Sequence, residues 1–224
     1  AHMKAPHKAL NPEQQALSAY IRAMFDTAPA AQAAAAEGLD VTCVDADDQG
    51  LLKHHLGLAS LSDDGENRSA NARITLRTGQ DWNVVNGADL AIFDLPRARP
   101  DLRDDVMADA DAVVLVVPAS ASGLALAPSV KAFLSAGENR FLLINFADSR
   151  VALKTAAASY LQEQFGDRVI GQVRLDESVD EALAALDTLS STSPYSAAWT
   201  DIRVAFVSLL NKMNSLPVAA VMAK

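Results

Sequence analysis

The chain has a single cysteine, Cys43, in 224 residues, so it has no internal disulfide and no cysteine-based zinc site. Cys43 lies inside an apolar run, reads as a buried structural thiol, and suits a reducing cytoplasm. Positive charge is also scarce: 19 Lys and Arg against 28 Asp and Glu give a net charge of -9. No basic stripe occurs, which argues against a dedicated nucleic-acid surface. No apolar run approaches the ~20 residues of a membrane span, and no signal peptide is visible. The C-terminal stretch 208–224 is mildly apolar, but Pro217 interrupts it and it carries only Lys212 and Lys224, too little for a membrane-surface helix. Glycine and lysine are missing where they would matter most. Residues 17–30, LSAYIRAMFDTAPA, hold no glycine, and no lysine falls between Lys8 and Lys53. A phosphate cradle needs glycines, so that backbone N–H groups can close on oxygen atoms, and an ammonium group to balance their charge.

What is present is apolar surface: 50% of the residues are hydrophobic and 21% charged, enough for one large core. Ala1-His2 ahead of Met3 reads as a cloning scar, which puts the natural start at Met3. The organising stretch is LDVTCVDADDQG at 39–50, a short β-branched run ending in Asp45, Asp47 and Asp48. Residues 88–94 repeat the pattern and end on Asp94. Acids at the carboxyl ends of strands lie where open α/β sheets bind ligands, and oxygen donors suit Mg²⁺. The same acids are equally at home capping the next turn or helix. Both readings stay open for Asp47 and Asp94.

Asn11-Pro12 with Gln14 opens a helix, and Leu17, Tyr20, Ile21, Met24 and Phe25 then share one face of it. That face either packs on the core or binds a partner. Pro29 is expected to break the chain at 27–30, with an Ala-rich helix over 31–37 closed by Gly38. A short helix follows Gly50; its neighbours His54 and His55 would point apart, which disfavours shared metal ligation. Residues 60–71 are polar and read as a mobile loop, and 72–76 as a strand. Helices are expected at 101–110, 124–136, 152–165, 176–189 and 197–214, and strands at 112–117, 141–146 and 169–173. This alternation predicts a doubly wound, mostly parallel sheet flanked by helices. Residues 1–30 form an N-terminal arm and helix, and 31–224 one α/β domain. Arg97 and Arg99 read as solvated loop charges, with phosphate contact the other option. Ser120 and Ser122 belong to no G-x-S-x-G elbow, which argues against a hydrolase.

Four pieces in order resemble the ParA/MinD family of deviant Walker ATPases, over approximately residues 31–210. Asp45-Ala46-Asp47-Asp48-Gln49-Gly50 matches the family's D-x-D-P-Q-G except at the proline, and Asp94-Leu95-Pro96 matches its D-x-P. ADAVVLVVPAS at 110–120 is close to the family's next strand; the Asn145 strand and RLDESVDEA at 174–182 follow in place. FDLPR at 93–97, LLIN at 142–145 and the spacing of the last third look most like the BcsQ/YhjQ-like proteins of cellulose operons.

The resemblance implies a P-loop NTPase-like fold. In an intact relative the residue at Asp47 positions Mg²⁺ and the attacking water, that at Asp94 holds the Mg²⁺ shell, and Asp45 and Asn145 lie beside the nucleotide. Asn145 either faces an adenine-sized pocket or hydrogen-bonds loop backbone. The family's K-G-G-x-G-K-[ST] loop should lie about twenty residues before Asp45, in the segment that has neither glycine nor lysine. The expectation is therefore a degenerate, non-hydrolysing family member with no cofactor, ATP with Mg²⁺ being the alternative. It would act through protein partners of a bacterial membrane-associated apparatus, as a homodimer or with an intact family member. It would make no direct nucleic-acid contact and no stable membrane insertion. The alternative function is a nucleotide-dependent switch in partition or cell-pole positioning.

Overall fold

A computed structural model describes residues 27–46, 50–58, 66–69, 71, 73–78, 88–95 and 100–215. The expected helix at 11–25, the apolar face Leu17, Tyr20, Ile21, Met24 and Phe25, and Asp47, Arg97 and Arg99 lie outside these residues.

The first helix, α1 (Thr27–Ala36), starts earlier than the sequence suggests. Pro29 falls in its first turn, where a missing N–H leaves no intrahelical bond unmade, so it belongs to the helix and does not break it. Gly38 ends α1 with a φ of 91°, while Leu39 N–H donates to Ala34 O and Gly38 N–H to Ala35 O. These two bonds are a Schellman closure, which glycine permits because it lacks a Cβ. The chain then enters β1 (Val41–Asp45), buried at every position.

After Gly50 come the short α2 (Leu52–His55), β2 (Glu66–Arg68) and β3 (Ile74–Thr78). β2 lies within the expected mobile loop. It is the outermost strand, antiparallel to β3, so polar residues suffice for its backbone pairing. Ser69 Oγ ties the end of β2 to the turn after α2 by donating to Leu56 O at 2.9 Å.

β4 (Leu90–Asp94) completes a four-stranded sheet of order β2-β3-β1-β4, in which β1 is parallel to both β3 and β4. α3 (Pro100–Asp109) leads to β5 (Val113–Pro118), and β5, β6 (Arg140–Ala147) and β7 (Val169–Arg174) form a parallel three-stranded sheet. The crossovers are α4 (Ala121–Ala125) and α5 (Ala127–Ser135), then α6 (Ala152–Phe165). One helix was expected at 124–136; Pro128 divides it, since proline cannot continue the backbone ladder. After β7 come α7 (Ser178–Ala184), α8 (Leu189–Thr192) and the long α9 (Ala197–Ser215). The helix expected over 176–189 stops early at Ala184, and Leu186 turns left-handed at a φ of 52°. Thr188 Oγ1 then caps α8 by accepting from Ser191 N.

One apolar cluster joins α1, β1, β3, α9 and one face of β5, β6 and β7. A second fills the opposite face of β5 and β6 beneath α5 and α6. The mostly parallel sheet between helices is the α/β architecture expected from the alternation of patterns.

Gly123 sets the approach of α4 to β5: a Cβ there would lie 1.9 Å from Pro118 O. The clash is with backbone at a buried position. Gly123→Ala is expected to lower stability by about 2–3 kcal/mol, read as a drop in the urea midpoint at unchanged slope.

Candidate functional site at the strand ends

The carboxyl ends of the parallel strands converge as the fold class requires. Asp45 and Asp94 are register partners on adjacent strands, and Ala46 N–H donates to Asp94 O at 3.0 Å. Asp45 is 4% exposed and Asp94 half-buried. Two neighbouring carboxylates are a donor set of the kind Mg²⁺ accepts, so these residues fit the metal. No group of three or more metal-binding side chains occurs among the described residues.

Helix N-termini bind phosphate through the free N–H groups of their first turn. In α1 residues 27–30 are all buried, and Pro29 contributes no N–H.

Asn145 lies in β6, two residues before its end and opposite Pro118. Its Oδ1 accepts from Phe146 N–H at 2.7 Å, and its carbonyl accepts from Ala119 N–H. The side chain thus supports a kink in which Phe146 is left-handed, with a φ of 58°.

Three polar arrangements at this end were not foreseen. Asp148 Oδ1 accepts from both N and Nε of Arg150 at 2.9 Å, and its Oδ2 accepts from Arg150 NH2 at 3.0 Å. The guanidinium bond, with the backbone bond second, holds the Asp148 carboxyl down at about 2. Arg174 makes a two-pronged pair with Asp201 of α9 at 2.7 and 2.8 Å, which raises its own pKa. Asp176 accepts from Ser178 N–H and Ala198 N–H, so one carboxylate serves the first turns of α7 and α9 together. Burial opposes its ionisation, but N–H donors led by Ala198 outweigh burial and keep its pKa below the usual value. Within RLDESVDEA, Arg174 and Asp176 are therefore committed to docking the C-terminal helix. The available signal was local: an acid two residues before Ser178 is an Asx-turn pattern. The Asp201 partner, 27 residues away from Arg174, has no local signature.

Away from the strand ends, Gln32 is 2% exposed and bridges two segments. Its Nε2 donates to His55 O, and its Oε1 accepts from Ser190 N–H. Ser120 Oγ caps α4 by accepting from Gly123 N–H and is hydrogen-bonded to Ser122, which accounts for both serines structurally.

No protein-family model matches the chain, and no curated protein does. Solved structures do. The MinC:MinD cell division protein complex of Aquifex aeolicus is similar at a TM-score of 0.68 and 15% identity, over 92% of this chain and 93% of that one. A ParA family ATPase from Chlorobium tepidum TLS gives 0.66 and 16%, over 81% and 90%. The septum site-determining protein MinD complexed with Mg-ADP from Pyrococcus horikoshii OT3 gives 0.62 and 16%, over 96% of both chains. The fold is that of the MinD/ParA P-loop ATPases.

Two predictions follow from the carboxylates. Asp176 is depressed in the folded state, so its contribution is complete above its unfolded pKa, near 3.9, and fades as pH falls through the lower folded value. Asp176→Ala should cost roughly 1–2 kcal/mol at neutral pH, seen in denaturant melts, and should flatten the stability profile below pH ~4. For Asp148, a carboxyl-detected NMR titration should find a midpoint at about 2. Arg150→Ala should move it up toward the usual ~3.9.

Proposed function

We propose that the chain is a degenerate MinD/ParA-like protein that does not hydrolyse nucleotide and acts by protein contact as a positioning or assembly factor. The observation that supports this reading is the buried first turn of α1, with Pro29 inside it, since a helix start holds phosphate through free N–H groups. The absence of glycine at 17–30 and of lysine between Lys8 and Lys53 supports it from the sequence side. The BcsQ/YhjQ-like motifs at 93–97 and 142–145 favour a cellulose-secretion apparatus as the setting, with cytoplasmic location and a homodimer or a dimer with an intact relative. In this reading residues 31–224 are one α/β domain, and residues 1–30 are an arm whose last four residues begin α1. No helix among the described residues is long and apolar enough to cross a membrane.

The second reading is a nucleotide-dependent switch of the partition or pole-positioning kind. Two observations favour it: the side-by-side Asp45 and Asp94, and the likeness to a MinD that carries Mg-ADP. Asp45, Asp47 and Asp94 would then hold Mg²⁺, and Asn145 would border the base.

Calorimetric titration of the chain with ATP and Mg²⁺ separates the two. The expected result is no binding tighter than ~100 μM, an affinity worth about 5.5 kcal/mol. Tighter binding that weakens tenfold or more in Asp94→Asn would establish the switch.

A further inference from the structure

All three charged side chains of α9 are engaged within the molecule. Asp201 pairs with Arg174, Arg203 pairs with Glu37, and Lys212 Nζ donates to Asp167 O. The inward face, with Trp199, Ile202, Ala205, Phe206 and Leu209, lies on the core it shares with α1 and β7. The midline of the opposite face is Thr200, Val204, Val207 and Asn211, all exposed and none charged. A surface helix ordinarily turns charged and polar groups outward. The other helices do so: α7 exposes Asp180 and Glu181, and α6 exposes Glu163.

The four midline residues follow one another at intervals of four, three and four positions, the spacing of the seam between two packed helices. Val204 is 64% exposed and Val207 39%. Thr200, Val204 and Val207 are β-branched, and such residues form helix less readily than Ala or Lys because the preceding turn restricts χ1. On an uncovered stripe nothing offsets that penalty. The turn leading into α9 adds Tyr195, 95% exposed, a ring with a large apolar face to bury.

We infer that this stripe is the contact between two copies of the chain, with each α9 lying against the other across a twofold axis. Charge selects the occupant. With 19 basic against 28 acidic residues, two copies repel wherever carboxylates face carboxylates. The uncharged stripe lets them meet without that repulsion. A strongly charged partner, by contrast, finds no complementary charge along it. Shape agrees, because the same seam on both helices supplies matching ridges and grooves, and a twofold axis sets one patch against itself. Asn211 places one polar group in the seam, a device that fixes register in helix pairs. A single helix pair buries less than the ~1,200 Å² of a standard interface, so the dimer is weak and forms at roughly 10–100 μM. The inference names the contact surface of the homodimer in the proposed function and rests on that reading; the carboxylates at the strand ends take no part in it.

Sedimentation velocity of the full chain without nucleotide should show monomer passing toward dimer between about 1 and 300 μM. Val204→Lys with Val207→Lys sets like charges along the seam and should weaken association about tenfold or more. The thermal midpoint should hold, since both positions are exposed. Tyr160→Lys, exposed on α6, should associate as the unmodified chain does. Independently, Val204→Cys with Val207→Cys should form intermolecular disulfides on the order of tenfold faster than Tyr160→Cys, Cys43 being fully buried. A chain that stays monomeric, association that survives the two lysines, or equal disulfide rates would each overturn the inference. Association that survives would place the homodimer on another face and leave the proposed function standing, which the nucleotide titration decides separately.

Discussion

The burial of α1 on all sides is the constraint on which the rest of the molecule depends. Nine of its ten residues are buried, and most of these are alanine. A helix with no polar face must be enclosed, and methyl-sized side chains let the sheet and α9 approach its backbone closely. The one large polar exception, Gln32, has its amide satisfied by His55 O and Ser190 N–H, so the enclosure leaves no amide group of that side chain stranded. This packing fixes β1 at the centre of its sheet and covers the helix terminus nearest the strand ends.

At the strand ends the acids divide into two groups by what they touch. Asp148 and Asp176 are bound to arginine or to helix N–H groups and hold loops and helices in place. Asp45 and Asp94 stand together in register on adjacent strands. This second pair lies at the carboxyl ends of adjacent parallel strands, where open α/β sheets bind ligands. The protein-contact reading and the switch reading differ over whether that pair holds a cation.

Much of the fold was legible because it rests on local patterns. The apolar runs of β1, β5 and β6 are long, uniform and bounded by Pro, Asp or Gly, and the closure of α1 by Gly38 follows from one residue's conformational freedom. The errors fell where tertiary context decides. β2 is polar because an edge strand needs only backbone pairing, Pro29 is tolerated because first-turn N–H groups are free anyway, and α7 stops where Asp187 and Thr188 offer the backbone other partners. The candidate site was legible as strand ends and acids. Its supporting pairs, such as Arg174 with Asp201, were not, since they join residues with no sequence relation.

The hydrogen bond between Gln32 and Ser190 spans 158 positions, and that between Glu37 and Arg203 spans 166. The C-terminal part of the described chain thus ties down the first described helix and the turn after it. During synthesis the alanine surface of α1 emerges long before α9 leaves the ribosome, so the nascent chain carries an unprotected greasy segment for most of its translation. Contacts this distant in sequence also slow closure of the native topology. Apolar surface left uncovered during synthesis is the kind that promotes aggregation before the native contacts close.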